Sequence, residues 1–181
     1  MGYAIAAAAF EAGAEVTLVS GPTGLGSPPG IKIERVETTE EMYRAVKKYF
    51  AKSDYLIMAA APADFTPKKI SPGKIKKEKG GPPLELVPTI DILKLITKIK
   101  EKGQRVVGFA LETDNAVKNA RTKLKEKKLD LIVLNTVGKT TPFDSDTNEV
   151  IIIDKKGKTE SLPRLSKTEL AAVLIERIAA L

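Results

Sequence analysis

Tyr55-Leu56-Ile57-Met58-Ala59-Ala60 is an unbroken apolar run of strand length. A run without polar alternation fits a parallel strand covered by helices on both faces. Similar segments recur along the chain. They are 15–20 (EVTLVS), 31–36 (IKIERV), 105–110 (RVVGFA) and 129–134 (LDLIVL). Helical signals stand between them. An alanine-rich stretch at 2–12 is closed by Gly13, and Thr38-Thr39-Glu40-Glu41 has capping-box spacing for a helix to about Lys52. Thr89 is placed to cap a helix over 90–102 stopped by Gly103, and another helix is expected over 115–128. At the C-terminal end, 149–154 and 159–162 read as a hairpin. Ser166-Lys167-Thr168-Glu169 then opens a last helix. The expectation is one α/β domain over 1–181: a Rossmann-like, open, mostly parallel sheet with helices on both faces. The chain opens on a helix where a βαβ unit wants a strand, so a sheet short by one strand is also expected.

Residues 61–88 break the pattern. They hold six of the eleven prolines, and Lys68, Lys69, Lys74, Lys76, Lys77 and Lys79 fall within twelve residues. This reads as an extended basic arm or lid. A mobile basic segment can close over a polyphosphate and neutralise charge as it develops; a solvated basic loop has the same composition. No aromatic residues are interleaved among these lysines for stacking on bases, so nucleic acid is not the expected partner.

Composition excludes several chemistries. Cys, His and Trp are absent, which removes thiol nucleophiles, disulfides, zinc clusters and imidazole bases. The chain of 181 residues carries 30 Lys+Arg against 23 Asp+Glu, a net charge of +7, which favours an anionic partner. No uninterrupted apolar run exceeds eight residues, far short of the ~20 of a membrane span. A cytoplasmic protein with no membrane partner is expected. The Gly-rich stretch 21–30 matches neither G-x-G-x-x-G nor the P-loop pattern, which disfavours an NAD-binding reductase and a P-loop NTPase.

In an open α/β sheet, ligands sit beyond the carboxyl ends of the strands. That draws attention to Ser20-Gly21-Pro22, to Ala60-Ala61-Pro62-Ala63-Asp64-Phe65, to Gly108-Phe109-Ala110-Leu111-Glu112-Thr113 and to Asn135. Small residues after a strand let backbone N–H groups approach a ligand. Asp64 suits a metal ion or a ribose hydroxyl, and equally an ordinary turn. Lys123 and Lys127, four apart, share a helix face and can present two charges to a phosphate tail; a solvated face reads the same way. The alternating acids at 144–148 lack the Gly and Glu of a calcium loop.

Taken in order, these motifs, with Lys74-Ile75-Lys76-Lys77 and Asp91-Ile92-Leu93, resemble the phosphopantothenate–cysteine ligase domain. In many bacteria and archaea that domain is fused behind a flavin-dependent decarboxylase. The resemblance implies a CTP-dependent ligase joining 4′-phosphopantothenate to L-cysteine through an acyl-cytidylate, with Mg²⁺ and no flavin in this segment. It implies nucleotide contacts at Met58, Ala59, Ala60, Asp64, Lys74, Ile90, Asp91, Ile92, Leu93, Phe109, Lys123 and Lys127. Lys74 would stabilise transition-state charge, and Ala60 and Ala61 would line the acyl-adduct pocket. It also implies a homodimer to which the arm contributes. The metal ligands are not implied. The family carries a strand and an Asn-containing loop ahead of the Met-Gly found here, so an incomplete form is expected. The alternative reading is a non-catalytic nucleotide-binding or dimerisation fragment of the same fold.

Overall fold

In a computed structural model of the chain, residues 1–69, 71, 73–74, 83–112, 114–136 and 147–181 are described. The elements run α1 (Gly2–Glu11), β1 (Thr17–Ser20), β2 (Lys32–Arg35), α2 (Thr39–Phe50), β3 (Tyr55–Met58), β4 (Phe65–Pro67) and β5 (Leu86–Pro88). They continue as α3 (Ile92–Ile96), β6 (Arg105–Glu112), α4 (Ala116–Glu126), β7 (Leu131–Thr136), β8 (Thr147–Asp154), β9 (Thr159–Ser166) and α5 (Lys167–Ala179). The fold is the expected α/β architecture. Its central sheet has the order β3-β6-β7-β8-β9, parallel across β3, β6 and β7 and antiparallel through the β8–β9 hairpin. Strands β1 and β2 pair in parallel but form a separate sheet. Among the described residues neither β1 nor β2 pairs with β3.

Strand alternation divides the core between two faces. Met58, Val106 and Ala110 point with Ile132 and Leu134 toward α2, α3 and α4. Val107, Leu131, Val133 and Val150 point toward α1 and α5, with Ile57, Ala59 and Phe109 packed beside them. The sides that carry helices are therefore both apolar, as the unalternating runs required.

Both capping boxes form. Thr38 Oγ accepts from the Glu41 N–H at 3.1 Å, and Ser166 Oγ accepts from the Glu169 N–H at 3.2 Å. In each, the Glu side chain accepts in return from the N–H of the cap residue. Two elements differ from expectation. The helix after the arm is short, and its cap is Asp91 rather than Thr89. Thr89 is turned instead to the start of the arm, where its N–H donates to the Asp64 carbonyl and its hydroxyl to the Ala63 carbonyl. The last strand continues past Pro163 to Ser166. It lies at the edge of the sheet, where a proline without an N–H is tolerated, and a register shift between Asn148 and Val150 absorbs the interruption.

At the amino ends of β6 and β7 a single buried carboxylate joins four segments. Asp130, 2% exposed, accepts from Lys100 Nζ at 2.7 Å, Lys155 Nζ at 2.9 Å and the Val106 N–H at 2.9 Å. Its own N–H donates to the Val106 carbonyl, and its carbonyl accepts from the Lys155 N–H. Burial works against the charged form. The hydrogen bonds from Lys100, Val106 and Lys155, with the charge of Lys100, outweigh it and hold the carboxyl below its ordinary value.

Asp130→Ala leaves the half-buried Lys100 ammonium and the buried Val106 N–H without their acceptor, and is expected to destabilise the chain by about 3 kcal/mol in urea unfolding. The depressed pKa also gives a sign. The contribution is complete above about pH 4, the ordinary range of an aspartate, and is lost as the pH falls from there toward the folded value. Asp130→Asn is expected to flatten the acid limb of the stability profile; an unchanged limb would disprove the clamp.

Candidate functional site

The strand β3 ends at Met58, and the chain then runs through the small residues Ala59, Ala60 and Ala61. Ala60, Ala61 and Asp64 are exposed, and Pro62 is half-buried between them. Beyond them β4 and β5 form a two-stranded antiparallel ribbon, with Phe65 opposite Pro88 and Pro67 opposite Leu86. The ladder extends by one further hydrogen bond, from Lys68 N–H to the Glu85 carbonyl, and the two side chains pair as an ion pair. The ribbon is the base of the basic arm. It exposes Phe65, Leu84 and Leu86, at 58%, 71% and 51%. Lys74 is exposed. Lys76, Lys77 and Lys79, and the acidic stretch at 144–146, lie outside the described residues.

The return of the ribbon brings the next set of residues to the same place. The Thr89 bonds to Ala63 and Asp64 fix residues 90–93 beside the end of β3. Ile92 and Leu93 then sink into the core that also contains Met58. Leu93 approaches the backbone of β6 at Gly108. A Cβ there would lie 2.8 Å from Leu129 Cδ1 and 3.4 Å from Leu93 Cδ1. The absence of a side chain at 108 thus lets α3 and the start of β7 close over the sheet.

Asp91 sits at the head of α3 and has two partners. Its Oδ1 accepts from the Lys94 N–H at 3.1 Å, capping the helix. The same carboxylate takes Lys127 Nζ, at 3.1 Å from Oδ1 and 2.9 Å from Oδ2. Partial burial opposes its charge, but the hydrogen bonds from Lys127 and Lys94 and the charges of both lysines hold the carboxyl below its usual range. Lys127 is at the C-cap of α4, and Lys123 is half-buried one turn earlier. The two lysines are therefore unequal: Lys127 is paired with a carboxylate, whereas Lys123 makes no ion pair among the described residues.

The residues singled out from sequence thus separate into groups. Met58, Ala60, Ala61, Asp64, Ile90, Asp91, Ile92, Leu93 and Lys127 are brought into one neighbourhood through the ribbon and α3. Ala59 and Phe109 belong to the other face of the sheet, where Phe109 packs with the α1–α5 layer. At that face Ala59 Cβ stands 3.8 Å from where a side chain on Gly2 would begin. Tyr3, on α1, shares a 3.0 Å hydrogen bond with Ser20 at the carboxyl end of β1, and Ser20 donates to the Gly21 carbonyl. Ser20 is legible in the sequence by its place after a strand, but its bond to Tyr3 is not, because a helical tyrosine among alanines carries no such signal. A Tyr-x-x-x-Lys spacing does occur, at Tyr43 and Lys47. Tyr43 packs against the core of α2 and Lys47 is exposed, so the two do not face a common site.

Comparison with known families decides the relationship. The family model described as "DNA/pantothenate metabolism flavoprotein C-terminal domain" matches residues 1–181. The chain belongs to that family. This domain is 45% identical over 183 residues to the coenzyme A biosynthesis bifunctional protein CoaBC of Bacillus subtilis, covering 100% of the chain and 45% of the relative. It is 38% identical over 188 residues to CoaBC of Mycobacterium tuberculosis, covering 98% and 45%. The domain therefore spans about half the length of the curated relatives it matches. Among solved structures, the C-terminal domain of a CoaBC protein superposes with a TM-score of 0.82 at 38% identity, covering 98% of this domain and 79% of that chain. The Cab2 H337A mutant in complex with phosphopantothenate-cysteine shares the fold, with a TM-score of 0.62 at 19% identity over 83% of this domain and 52% of that chain.

Because the space over Gly108 is filled by two leucine side chains, Gly108→Ala in this domain is expected to destabilise it by about 1–2 kcal/mol in urea unfolding, through displacement of Leu129 and Leu93. A neutral result would show that Leu129 rotates away freely.

Proposed function

We propose that the chain is the ligase domain of a coenzyme A biosynthesis protein, joining 4′-phosphopantothenate to L-cysteine with the consumption of CTP. The observation that carries this reading is the superposition on the CoaBC C-terminal domain over 98% of the chain at 38% identity. A protein of the same fold has been solved with phosphopantothenate-cysteine, which is the product the reaction requires. In the first step the carboxylate of phosphopantothenate attacks the α-phosphorus of CTP and pyrophosphate leaves. In the second, the amine of cysteine attacks the acyl carbon, loses a proton, and CMP leaves. Both steps depend on positioning and charge neutralisation. They ask for neither a histidine nor a cysteine from the protein, and the chain has neither.

The residues of the site take their roles from this chemistry. Ala60 and Ala61, without bulk, leave room for an acyl adduct against the backbone. The segment Ile90, Asp91, Ile92 and Leu93 borders the nucleotide. Phe109, with Ala59, supports it from the α1 side of the sheet. Lys74, exposed on the arm, supplies positive charge to the α-phosphoryl group as it is transferred. Mg²⁺ fits as an ion carried by the triphosphate rather than by a protein cage. No group of three or more acidic ligands converges among the described residues, and a triphosphate-bound Mg²⁺ needs only one or two carboxylates. Asp64, exposed beside Thr89, is the residue to hold it. Such an ion would neutralise triphosphate charge.

The homodimer is part of the same reading. Phe65, Leu84 and Leu86 are large apolar side chains displayed on a two-stranded ribbon, and a second copy would remove them from water. Among the described residues no helix is long and apolar enough to cross a membrane.

CTP with Mg²⁺ is expected to slow tryptic cleavage after Lys69 and Lys74; equal protection by NAD, or none by any nucleotide, refutes the reading. In a chain to which the family's Asn-containing front loop has been added, Lys74→Gln is expected to lower single-turnover product formation by at least about 100-fold while CTP affinity changes less than about fivefold. Leu84→Glu is expected to convert a dimer to monomers in sedimentation; an unchanged mass would move the contact off the ribbon.

A further inference from the structure

The amino pole of the parallel strands gathers more positive charge than the Asp130 clamp uses. A surface depression of about 310 Å³ lies there. Lys100, Lys125, Lys128 and Lys155 line it, with Leu124 and Leu129. Among the described residues Asp130 is the one carboxylate in its lining. We propose that this depression is an oligophosphate site, in which the four ammonium groups take a di- or triphosphate group. It is remote from the candidate site at the end of β3, and the inference does not rest on the ligase reading.

Asp130 prepares the site rather than neutralising it. Lys100 Nζ stands 2.7 Å from Oδ2 and Lys155 Nζ 2.9 Å from Oδ1, so one carboxylate holds two ammonium groups in place. An ammonium has three N–H donors, and each of these uses one on Asp130. The Lys100 side chain is 21% exposed and that of Lys155 52%, so both still meet solvent. Lys155 is fixed further by its N–H, which donates to the Asp130 carbonyl. The hairpin that carries it is docked on α4 through Arg121, whose guanidinium donates to Thr159 Oγ1 at 3.0 Å. Cations already held in position lose little freedom when an anion arrives. Lys118 and Arg121 continue the charge along α4, where a neighbouring depression shares Lys125.

Lys128 supplies the second observation. Helix α4 ends in a Schellman turn: the Lys128 N–H donates to the Lys125 carbonyl at 3.1 Å, and the Leu129 N–H to the Leu124 carbonyl at 3.0 Å. Such a turn needs a left-handed residue, and Lys128 takes φ 49°. Glycine adopts that conformation without steric cost, as Gly13 does after α1 with φ 88°. The turn itself gains nothing from a lysine at 128. The strain is accounted for by an ammonium needed at this depression, beside Lys125 and the pair on Asp130. The bonds of the turn also occupy the Leu124 and Lys125 carbonyls, and the Lys127 N–H occupies that of Lys123, so acceptors that repel an anion at a helix end are already engaged.

The test is amide NMR of the 181-residue chain titrated with inorganic phosphate, pyrophosphate and tripolyphosphate at constant ionic strength. Leu129 and Lys155 line the depression, and the Val106 N–H is bonded to Asp130 Oδ2 at 2.9 Å, so their shifts report on this pole and not on the end of β3. Saturable shifts at these three amides are expected, with affinity rising with anion charge. Lys125→Ala and Lys128→Gly are each expected to weaken pyrophosphate by about fivefold, as the loss of one exposed charge implies, and Lys128→Arg to retain it. Lys128→Gly separates binding from folding: its urea midpoint is expected to hold or rise, because the left-handed strain is relieved, while binding falls. Methyl diphosphate distinguishes a free oligophosphate from the diphosphate end of a larger molecule, and saturable shifts with either support the site. Shifts that do not saturate, an affinity indifferent to anion charge, or binding unchanged in both Lys125→Ala and Lys128→Gly overturn the proposal. Binding confined to the end of β3 overturns it too and leaves the ligase reading in place.

Discussion

One buried carboxylate, Asp130, holds the central sheet to its surroundings. It reaches back to the loop before β6 through Lys100, across to β6 through Val106, and out to the hairpin through Lys155. A negative charge at 2% exposure is tolerable because it is met by two ammonium groups and an amide. The order of β6, β7 and β8 at this pole, the amino ends of β6 and β7 and the carboxyl end of β8, follows from that requirement, since the partners must converge from three segments. The helices above and below add apolar area, but apolar contact is non-directional and does not choose among neighbouring registers. Hydrogen bonds to a fixed carboxylate do.

From this frame the candidate residues are gathered by short connections. Surface depressions of about 510 and 310 Å³ lie elsewhere. The first is on the outer side of α4 around Lys118 and Arg121, and the second is beside the Asp130 cluster. Neither includes the residues that the family resemblance points to. Those residues are gathered by Thr89, which pins the returning ribbon to Ala63 and Asp64, and by Asp91, which ties α3 to α4. The neighbourhood is open, in keeping with an arm and a second copy that would complete it under the proposed function.

Much of the fold could be read from local pattern. Continuous apolar runs marked the parallel strands, and Thr38/Glu41 and Ser166/Glu169 marked two helix starts at the right residue. The departures have physical causes. Thr89 looked like a cap because only its place in sequence was visible; the arm's carbonyls at Asp64 and Ala63, far back along the chain, compete for its two donors and win. Pro163 looked like a strand end because a proline interrupts a ladder, yet an edge strand has one side free. The candidate residues were legible as a set through the family resemblance, but their division between the two faces of the sheet was not. Phe109 and Lys127 are separated by strand alternation, and Lys127 is paired with a partner 36 positions away. The Asp130 clamp had no local signal at all, since its contacts span 24 to 30 residues.

The clamp and the candidate site lie at opposite poles of the parallel strands. Asp130, Lys100 and Lys155 close the amino pole, whereas Met58, Ala60 and Asp64 lie at or beyond the carboxyl end of β3. The ionic lock and the candidate site thus occupy separate places in the fold. A lineage adapting to a hotter or more acidic setting can revise the ionic lock at one pole through a handful of exchanges. The stereochemistry at the other pole need not be renegotiated.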